Sequence, residues 1–172
     1  IIDKGTIKTG DVIKMSVEKE KRAAIAIHHS STHLAHAALR EVLGDHVQQK
    51  GSLVDENKLR FDFSHTKPLT ADEILKIETI VNKEVLKNLE VETKLMSLDD
   101  ALNSGAMALF GEKYDDDVRV LTMGENSYSV ELCGGTHVER TGDVGFFIIT
   151  NQSSVASGIR RIEAVAGMRA IE

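Results

Sequence analysis

Two short motifs that carry histidines, far apart in the sequence, constrain the fold more than any other feature. His29 and His33 fall in a segment whose apolar spacing predicts a helix over residues 19–43. One helical turn separates them, so both imidazoles point to the same side. The second motif, C-G-G-T-H, holds Cys133 and His137 together in a glycine-containing turn. Two nitrogens from a helix, with a nitrogen and a sulfur from a turn, predict a tetrahedral zinc site, and the fold must then pack the helix against the turn.

Each motif by itself is weak evidence for a metal. The pattern H-x-x-x-H is common on amphipathic helices, and C-x-x-x-H is weaker still. Together they are more specific, because Cys133 is the single cysteine of the chain and lies in the second motif. No glutamate follows His29, so the H-E-x-x-H pattern of metalloproteases is absent from the sequence. The paired-cysteine spacing of zinc fingers is absent from it too.

Composition narrows the class of protein further. A chain of 172 residues with 41% hydrophobic and 28% charged residues is typical of a folded protein of one or two domains. One cysteine cannot form an internal disulfide, so we expect a reducing, cytoplasmic setting. No apolar run is long enough to span a bilayer, so we expect no membrane partner. A net charge of −6 and 4% aromatic residues argue against broad, non-specific binding of nucleic acid.

The rest of the pattern predicts an α+β fold, in which an antiparallel sheet packs with two long helices. Alternating residues in L-R-F-D-F-S predict a hairpin over residues 53–63. Thr70 and Glu73 form a capping-box signature, and the helix that they begin runs to about residue 89. Further strands are predicted over residues 91–96, 118–123, 128–133, 144–150 and 157–166, with a short helix beginning at Ser97. The first segment, residues 5–17, predicts two short strands about a turn at Thr9-Gly10-Asp11.

Several segments of the sequence resemble one known family. The run H-S-S-T-H-L-A-H-A-A-L-R, followed by C-G-G-T-H, resembles the editing domain of alanyl-tRNA synthetases. H-V-Q-Q-K-G-S-L-V, R-F-D-F-S-H, G-A-M-A-L-F-G-E-K-Y and G-I-R-R-I-E-A-V-A-G resemble the same domain in the same order, from about residue 5 to residue 167. Threonyl-tRNA synthetases and freestanding trans-editing proteins share the two metal motifs but resemble this sequence less in C-G-G-T-H-V-E-R-T-G-D-V-G. The resemblance implies a zinc-dependent ester hydrolase that removes serine or glycine from wrongly charged tRNA(Ala).

The resemblance also implies roles for individual residues. The four residues of the two motifs match zinc ligands. Thr32 matches a hydroxyl residue of the amino-acid pocket and Gln49 a polar residue near the ester, which with Cys133 make the expected catalytic set. Arg160 and Arg161 match a basic pair near the acceptor end of tRNA(Ala), although a solvated strand end explains them equally well.

Four tight protein ligands describe a closed, structural zinc site, whereas catalysis needs an open position. We therefore expect one ligand, Cys133, to bind loosely or to give way to water or substrate. His36 lies one turn beyond His33, and it either supports the metal site or is a buried structural histidine.

The family's editing region begins with a small β-barrel. Residues 1–18 are accordingly expected to be the terminal strands of a truncated barrel, and residues 19–172 the zinc-containing editing domain. On this view the chain is a fragment of a longer synthetase, whose remainder contributes to tRNA binding. Two alternatives stay open, a freestanding trans-editing deacylase and a zinc-stabilised tRNA-binding module without activity.

Overall fold

The computed structural model describes residues 4–108 and 114–172, which form an α+β fold. The helices and strands are α1 (Lys19–Leu43), β1 (Gln49–Val54), β2 (Leu59–Ser64), α2 (Ala71–Leu86), β3 (Glu92–Ser97), α3 (Leu98–Asn103), β4 (Asp117–Met123), β5 (Ser129–Leu132), β6 (Phe147–Ala156) and β7 (Ile159–Ala166). Two short 3-10 helices, Thr141–Val144 and Gly167–Ala170, follow β5 and β7. The predicted α+β class and the bounds predicted for α1 are confirmed.

The strands form two antiparallel sheets, so the prediction of one sheet is wrong. The larger sheet has the order β1-β2-β7-β6, and the smaller has the order β3-β4-β5. Phe61 lies opposite Ile162 in the larger sheet, and both are fully buried against the helices. Alternation along a strand shows which side chains are buried, but it does not show which strands pair. The division into two sheets was therefore not available from the pattern.

Helix α1 is the central element of the fold, because it contacts α2 and strands of both sheets. Leu34 and Leu39 are fully buried in the main core. The buried hydroxyls of Ser31 and Thr32 donate to carbonyl oxygens one turn earlier in the helix, at 2.7 and 2.9 Å, which satisfies them inside the core. No helix in the parts of the chain that the structure describes combines the length and the apolar character needed to cross a membrane.

Helix α2 packs beside α1 and begins as predicted. The Thr70 hydroxyl accepts a hydrogen bond from the Glu73 backbone N–H, and the Glu73 carboxylate accepts one from the backbone N–H of Thr70. Ile77 and Val81 are fully buried in the main core. The helix ends at Leu86, before the predicted residue 89.

The segment before α1 contains no strand among its described residues, 4–18, so the two strands predicted there are not observed. The predicted turn is present, since the N–H of Asp11 donates to the carbonyl of Lys8 at 3.1 Å. Val12 and Ile13 are exposed, and no segment in the described ranges pairs with them. A strand requires a partner for its backbone groups, and local sequence cannot supply one. No barrel is found in the described residues, and the division at residue 18 stays a prediction.

Candidate metal centre

The four residues predicted as metal ligands lie together in the structure. The ligand atoms of His29, His33, Cys133 and His137 all lie within 4.8 Å of one another. The Cys133 sulfur is 3.5 Å from Nε2 of His29 and 3.3 Å from Nε2 of His137. In a tetrahedral zinc site with typical zinc–sulfur and zinc–nitrogen bond lengths, the sulfur and a nitrogen ligand lie about 3.5 Å apart. The donor types and the two distances from the sulfur therefore fit a metal ion such as zinc.

The helix supplies two of these ligands in a fixed relation. His29 and His33 lie one turn apart on α1, whose backbone fixes the separation of the two side chains. Nδ1 of His33 lies 2.9 Å from Oε2 of Glu131, but the N–H is not aligned with the oxygen, so the contact is electrostatic. Nε2 of His33 is buried and has no hydrogen-bond partner within the described ranges, as expected of an atom that faces a metal.

The turn that carries Cys133 and His137 is held in place by hydrogen bonds between its backbone groups and Arg119. The N–H of Cys133, just after β5, donates to the carbonyl of Arg119 on β4 at 3.0 Å. The Arg119 guanidinium donates in return to the carbonyls of Gly134 and Gly135, at 3.2 and 2.9 Å. Arg119 thereby fixes the path of the chain between the two ligands.

The two glycines of the turn are not equivalent. A Cβ at Gly135 would lie 2.7 Å from Nδ1 of His29 and closer still to Cε1, whereas a Cβ at Gly134 would have nothing within 4 Å among the described residues. Neither glycine has a positive φ. Glycine is therefore required at position 135 because the imidazole of His29 occupies the space, and not because the turn needs special dihedral angles.

Ser30 positions the fourth ligand. Its hydroxyl lies 3.3 Å from Nδ1 of His137 and accepts the backbone N–H of Val138 at 3.1 Å. Ser30 is fully buried, so this contact is shielded from water. With Nδ1 engaged by the serine, Nε2 of His137 is the nitrogen directed at the Cys133 sulfur.

The site concentrates negative charge. Burial raises the pKa of Cys133, but hydrogen bonds from the surrounding imidazoles, that of His137 first, lower it to about 3. Burial also raises the pKa of Glu131, but the charge on His33 lowers it to about 2. Burial lowers the pKa of His33, but the Glu131 carboxylate and Cys133 raise it to about 10. A buried carboxylate and a partly buried thiolate thus share one protonated imidazole, and a dication on the same donors would supply the charge that they require.

A cavity of about 270 Å³ lies beside the centre. Gln49 lines it together with His36, Arg40 and Glu131, and of these Glu131 contacts the predicted ligand His33. Thr32 does not line this cavity, since its hydroxyl donates to the carbonyl of His28 and the residue is almost wholly buried. The roles assigned to Gln49 and Thr32 stay predictions.

The predicted basic pair does not present one joint surface. Arg160 and Arg161 are adjacent on β7, so their side chains leave opposite faces of the sheet. Arg161 donates two hydrogen bonds to Asp62, at 2.6 and 2.7 Å, and Arg160 donates to Gln152 at 3.1 Å. The proposed contact with the tRNA acceptor end stays a prediction for each arginine separately.

Ser30, Arg119 and Glu131 support the site but were given no role by the sequence patterns. Ser30 follows the ligand His29, and Glu131 lies just before Cys133, so proximity to a motif was a usable signal for both. Arg119 carried no such signal, because its contact depends on the pairing of β4 with β5.

Comparison with known proteins places these elements in a family. Residues 118–163 match the family model described as the second additional domain of threonyl and alanyl tRNA synthetases. This match takes in β4 to β7 and the turn that carries Cys133 and His137. The class of domain is therefore one found in these two synthetases.

Longer relatives define the family more narrowly. The chain is 59% identical over 170 residues to the alanine–tRNA ligase of Parvibaculum lavamentivorans, covering 95% of this chain and 19% of that protein. It is 55% identical over 178 residues to that of Rhodopseudomonas palustris (98% and 20%) and 56% identical over 170 residues to that of Burkholderia mallei (99% and 19%). The chain thus spans about a fifth of the length of these curated relatives. It corresponds to an alanyl-tRNA synthetase region that contains the second additional domain, and the resemblance stated from its motifs is confirmed.

Proposed function

We propose that this chain is an editing hydrolase that deacylates Ser-tRNA(Ala) and Gly-tRNA(Ala). The observation that carries the proposal is the convergence of His29, His33, Cys133 and His137 in a region that matches alanine–tRNA ligases over nearly all of its length. When bound there, zinc would supply Lewis-acid chemistry to an ester carbonyl or lower the pKa of a water. The protein's own task is to hold the acceptor end beside those ligands.

The cavity beside the ligands supports this task. Gln49 and Glu131 both line it, and Glu131 also contacts the ligand His33. Gln49 has an amide that can donate to and accept from polar groups of an aminoacyl ester. We propose that the tRNA acceptor end enters here, with the ester between Gln49 and the metal ligands.

An editing site is needed because the aminoacylation site of an alanyl-tRNA synthetase discriminates only weakly against serine and glycine. Serine exceeds alanine by one hydroxyl, and glycine lacks one methyl. An aminoacylation pocket rejects such analogues by only about 1–3 kcal/mol, so an editing site must remove the wrongly attached amino acids. A hydroxyl such as that of Thr32 would favour serine in this editing site.

A closed set of four ligands raises the alternative of a purely structural zinc, with the chain acting as a tRNA-binding module. We propose instead that Cys133 gives way to water or substrate during the reaction, because catalysis needs an open position on the metal. Replacing Cys133 with alanine should then keep zinc on the three histidines while hydrolysis falls.

The decisive experiment measures release of serine from Ser-tRNA(Ala) and from Ser-tRNA(Thr) by the zinc-loaded chain. Faster release from tRNA(Ala), with Gly-tRNA(Ala) also hydrolysed and Ala-tRNA(Ala) spared, is the expected result. Equal or faster release from tRNA(Thr) would identify a hydrolase for another tRNA. Binding of Ser-tRNA(Ala) without turnover would favour the module without activity.

The tRNA(Ala) partner and the cytoplasmic setting belong to this proposal. The relatives are far longer, so we expect their other regions to contribute to tRNA affinity. Joining this region to such a neighbour should lower KM for Ser-tRNA(Ala) more than it raises kcat.

A further inference from the structure

The Glu131 carboxylate lies between two imidazoles, that of His33 in the candidate metal site and that of His36 in the cavity wall. Oε2 of Glu131 is 2.9 Å from Nδ1 of His33, and Oε1 is 3.0 Å from Nδ1 of His36. All three side chains are more than nine-tenths buried. A carboxylate only accepts hydrogen bonds, so it favours a proton on each nitrogen that faces it. An imidazole that carries its single proton on Nδ1 has a free lone pair on Nε2.

The Nε2 atoms of His33 and His36 have different surroundings. His33 belongs to the candidate metal cluster, and its Nε2 has no hydrogen-bond partner among the described residues. Nε2 of His36 is buried and has no hydrogen-bond partner in the described part of the chain, and His36 lines the cavity that also contains Gln49. A buried nitrogen without a partner is costly unless something binds it. A ligand hydroxyl in the cavity would satisfy it.

We propose that Glu131 sets the tautomer of both imidazoles, so that His33 binds the metal while His36 accepts a hydrogen bond from a hydroxyl group of the ligand in the cavity. The inference rests on the proposed function only for the nature of that ligand, an aminoacyl ester of a ribose. Its hydroxyl comes either from the ribose or from a seryl side chain. Glu131 is a positioning residue in this account, because it acts through the two histidines.

The Arg40 guanidinium, another strongly polar group of the cavity wall, is already committed. It donates to the carbonyls of Asp45 and Val47, both at 2.9 Å, and to the Asp45 carboxylate at 3.0 Å. Among the histidine and arginine side chains that line the cavity, His36 therefore has the free acceptor. An acceptor selects a hydroxyl or an amine over a carbonyl or phosphate oxygen.

The first test measures tautomers and zinc affinity, and it needs no hydrolysis. Long-range proton–nitrogen NMR spectra of the zinc-loaded, histidine-labelled chain should show both His33 and His36 protonated on Nδ1. Glu131→Gln should populate the other tautomer of His36 and weaken zinc binding, measured by chelator competition, by roughly 10–100-fold. Glu84→Gln is the matched control, since Glu84 is also a buried carboxylate but lies on α2 away from the ligands, and its zinc affinity should not change.

The second test measures the cavity with amide analogues that cannot be hydrolysed, 3′-seryl- and 3′-glycyl-amino-3′-deoxyadenosine. The amide of asparagine reaches about as far as Nδ1 of a histidine, and that of glutamine about as far as Nε2. His36→Asn should thus keep the contact with Glu131 and raise Kd about tenfold, with zinc affinity unchanged, whereas His36→Gln should keep the Kd near that of the unchanged chain.

The outcomes separate cleanly. A rise in Kd for both analogues in His36→Asn, absent when the 2′-hydroxyl is removed from them, identifies a ribose hydroxyl, and a rise for the seryl analogue alone identifies the seryl hydroxyl. Either result supports the proposal. Protonation of His36 on Nε2 in the unchanged chain, or an unchanged Kd for both analogues in His36→Asn, overturns it. If the chain proves unable to hydrolyse Ser-tRNA(Ala), both tests still give their answers, so the two proposals fail independently.

Discussion

The two halves of the metal centre are built in opposite ways. His29 and His33 are held by the geometry of α1 itself, since one turn of helix fixes their separation. Cys133 and His137 lie on an irregular turn, which has no such internal repeat. The turn is fixed from outside by Arg119, by the hydroxyl of Ser30 and by the lack of a side chain at Gly135.

This difference shows where each half is vulnerable. A helical pair tolerates changes in its surroundings as long as the helix remains. A turn depends on a few distant contacts, and losing any one of them moves a ligand. We therefore expect variants near the turn to weaken metal binding without unfolding the protein, in the order in which they are described below.

The largest effect should follow the removal of one ligand from each half. His29→Ala/His137→Ala should reduce zinc content from about one per chain to near zero and lower the Tm, because the site joins α1 to the turn. Metal analysis and calorimetry measure both. His46→Ala/His65→Ala is the matched control, since these two histidines, one exposed and one partly buried, contact each other at 2.9 Å outside the centre. Full zinc occupancy in the first variant would remove the metal site from the account.

Gly135→Ala tests the turn by crowding. The added methyl would overlap the His29 imidazole and displace it, so zinc affinity should fall about 100-fold while the fold is kept. Gly134→Ala, with open space around its Cβ, should change the affinity less than threefold on the same scale. Chelator competition on both variants is the measurement. Equal losses would mean that the backbone, and not His29, sets the need for glycine.

Ser30→Ala tests the support of His137 alone. Loss of the contact with Nδ1 should weaken zinc binding about tenfold. Ser31→Ala is the control, because its equally buried hydroxyl donates only within α1, to Ile27. That variant should lose about 1 kcal/mol of stability or less, with zinc affinity unchanged. Similar zinc affinities in the two variants would show that Ser30 does not position the ligand.

The smallest effect should come from Thr32→Val, on the helix half. The hydroxyl donates to the carbonyl of His28, so its loss leaves both histidine ligands in place. Zinc affinity should not change. Hydrolysis of Ser-tRNA(Ala) should lose about 1 kcal/mol of transition-state stabilisation if Thr32 contacts the seryl group. Unchanged kcat/KM for the seryl ester would place the pocket elsewhere.

Local signals predicted local structure well. The bounds of α1, the capping box of α2 and the helix start at Ser97 depend on residues close in sequence, and the structure has all three. The pairing of strands depends on distant residues, so the split into two sheets was not predicted. The strands expected before α1 are absent from residues 4–18 for the same reason, since apolar alternation needs a partner to become a strand.

The residues of the candidate site fall into the same two groups, those predicted from local sequence and those that depend on contacts between distant residues. Both ligand pairs were recognisable because each has its own short spacing in the sequence. The contacts of Arg119 and Glu131 link residues on different elements, and no spacing records them. Residue types at a motif can therefore be read from sequence, whereas the side chains that aim them cannot.

Helix α1 runs through the main core and also carries half of the metal ligands. On the proposal that this site holds zinc, the free energy of folding of the chain is linked to the concentration of free zinc around the protein. A site filled at 100 times its Kd adds about 2.7 kcal/mol to the stability of the folded state, and this contribution vanishes as zinc is withdrawn. Zinc supply would then affect how long the folded chain survives, and not only the editing activity proposed for it.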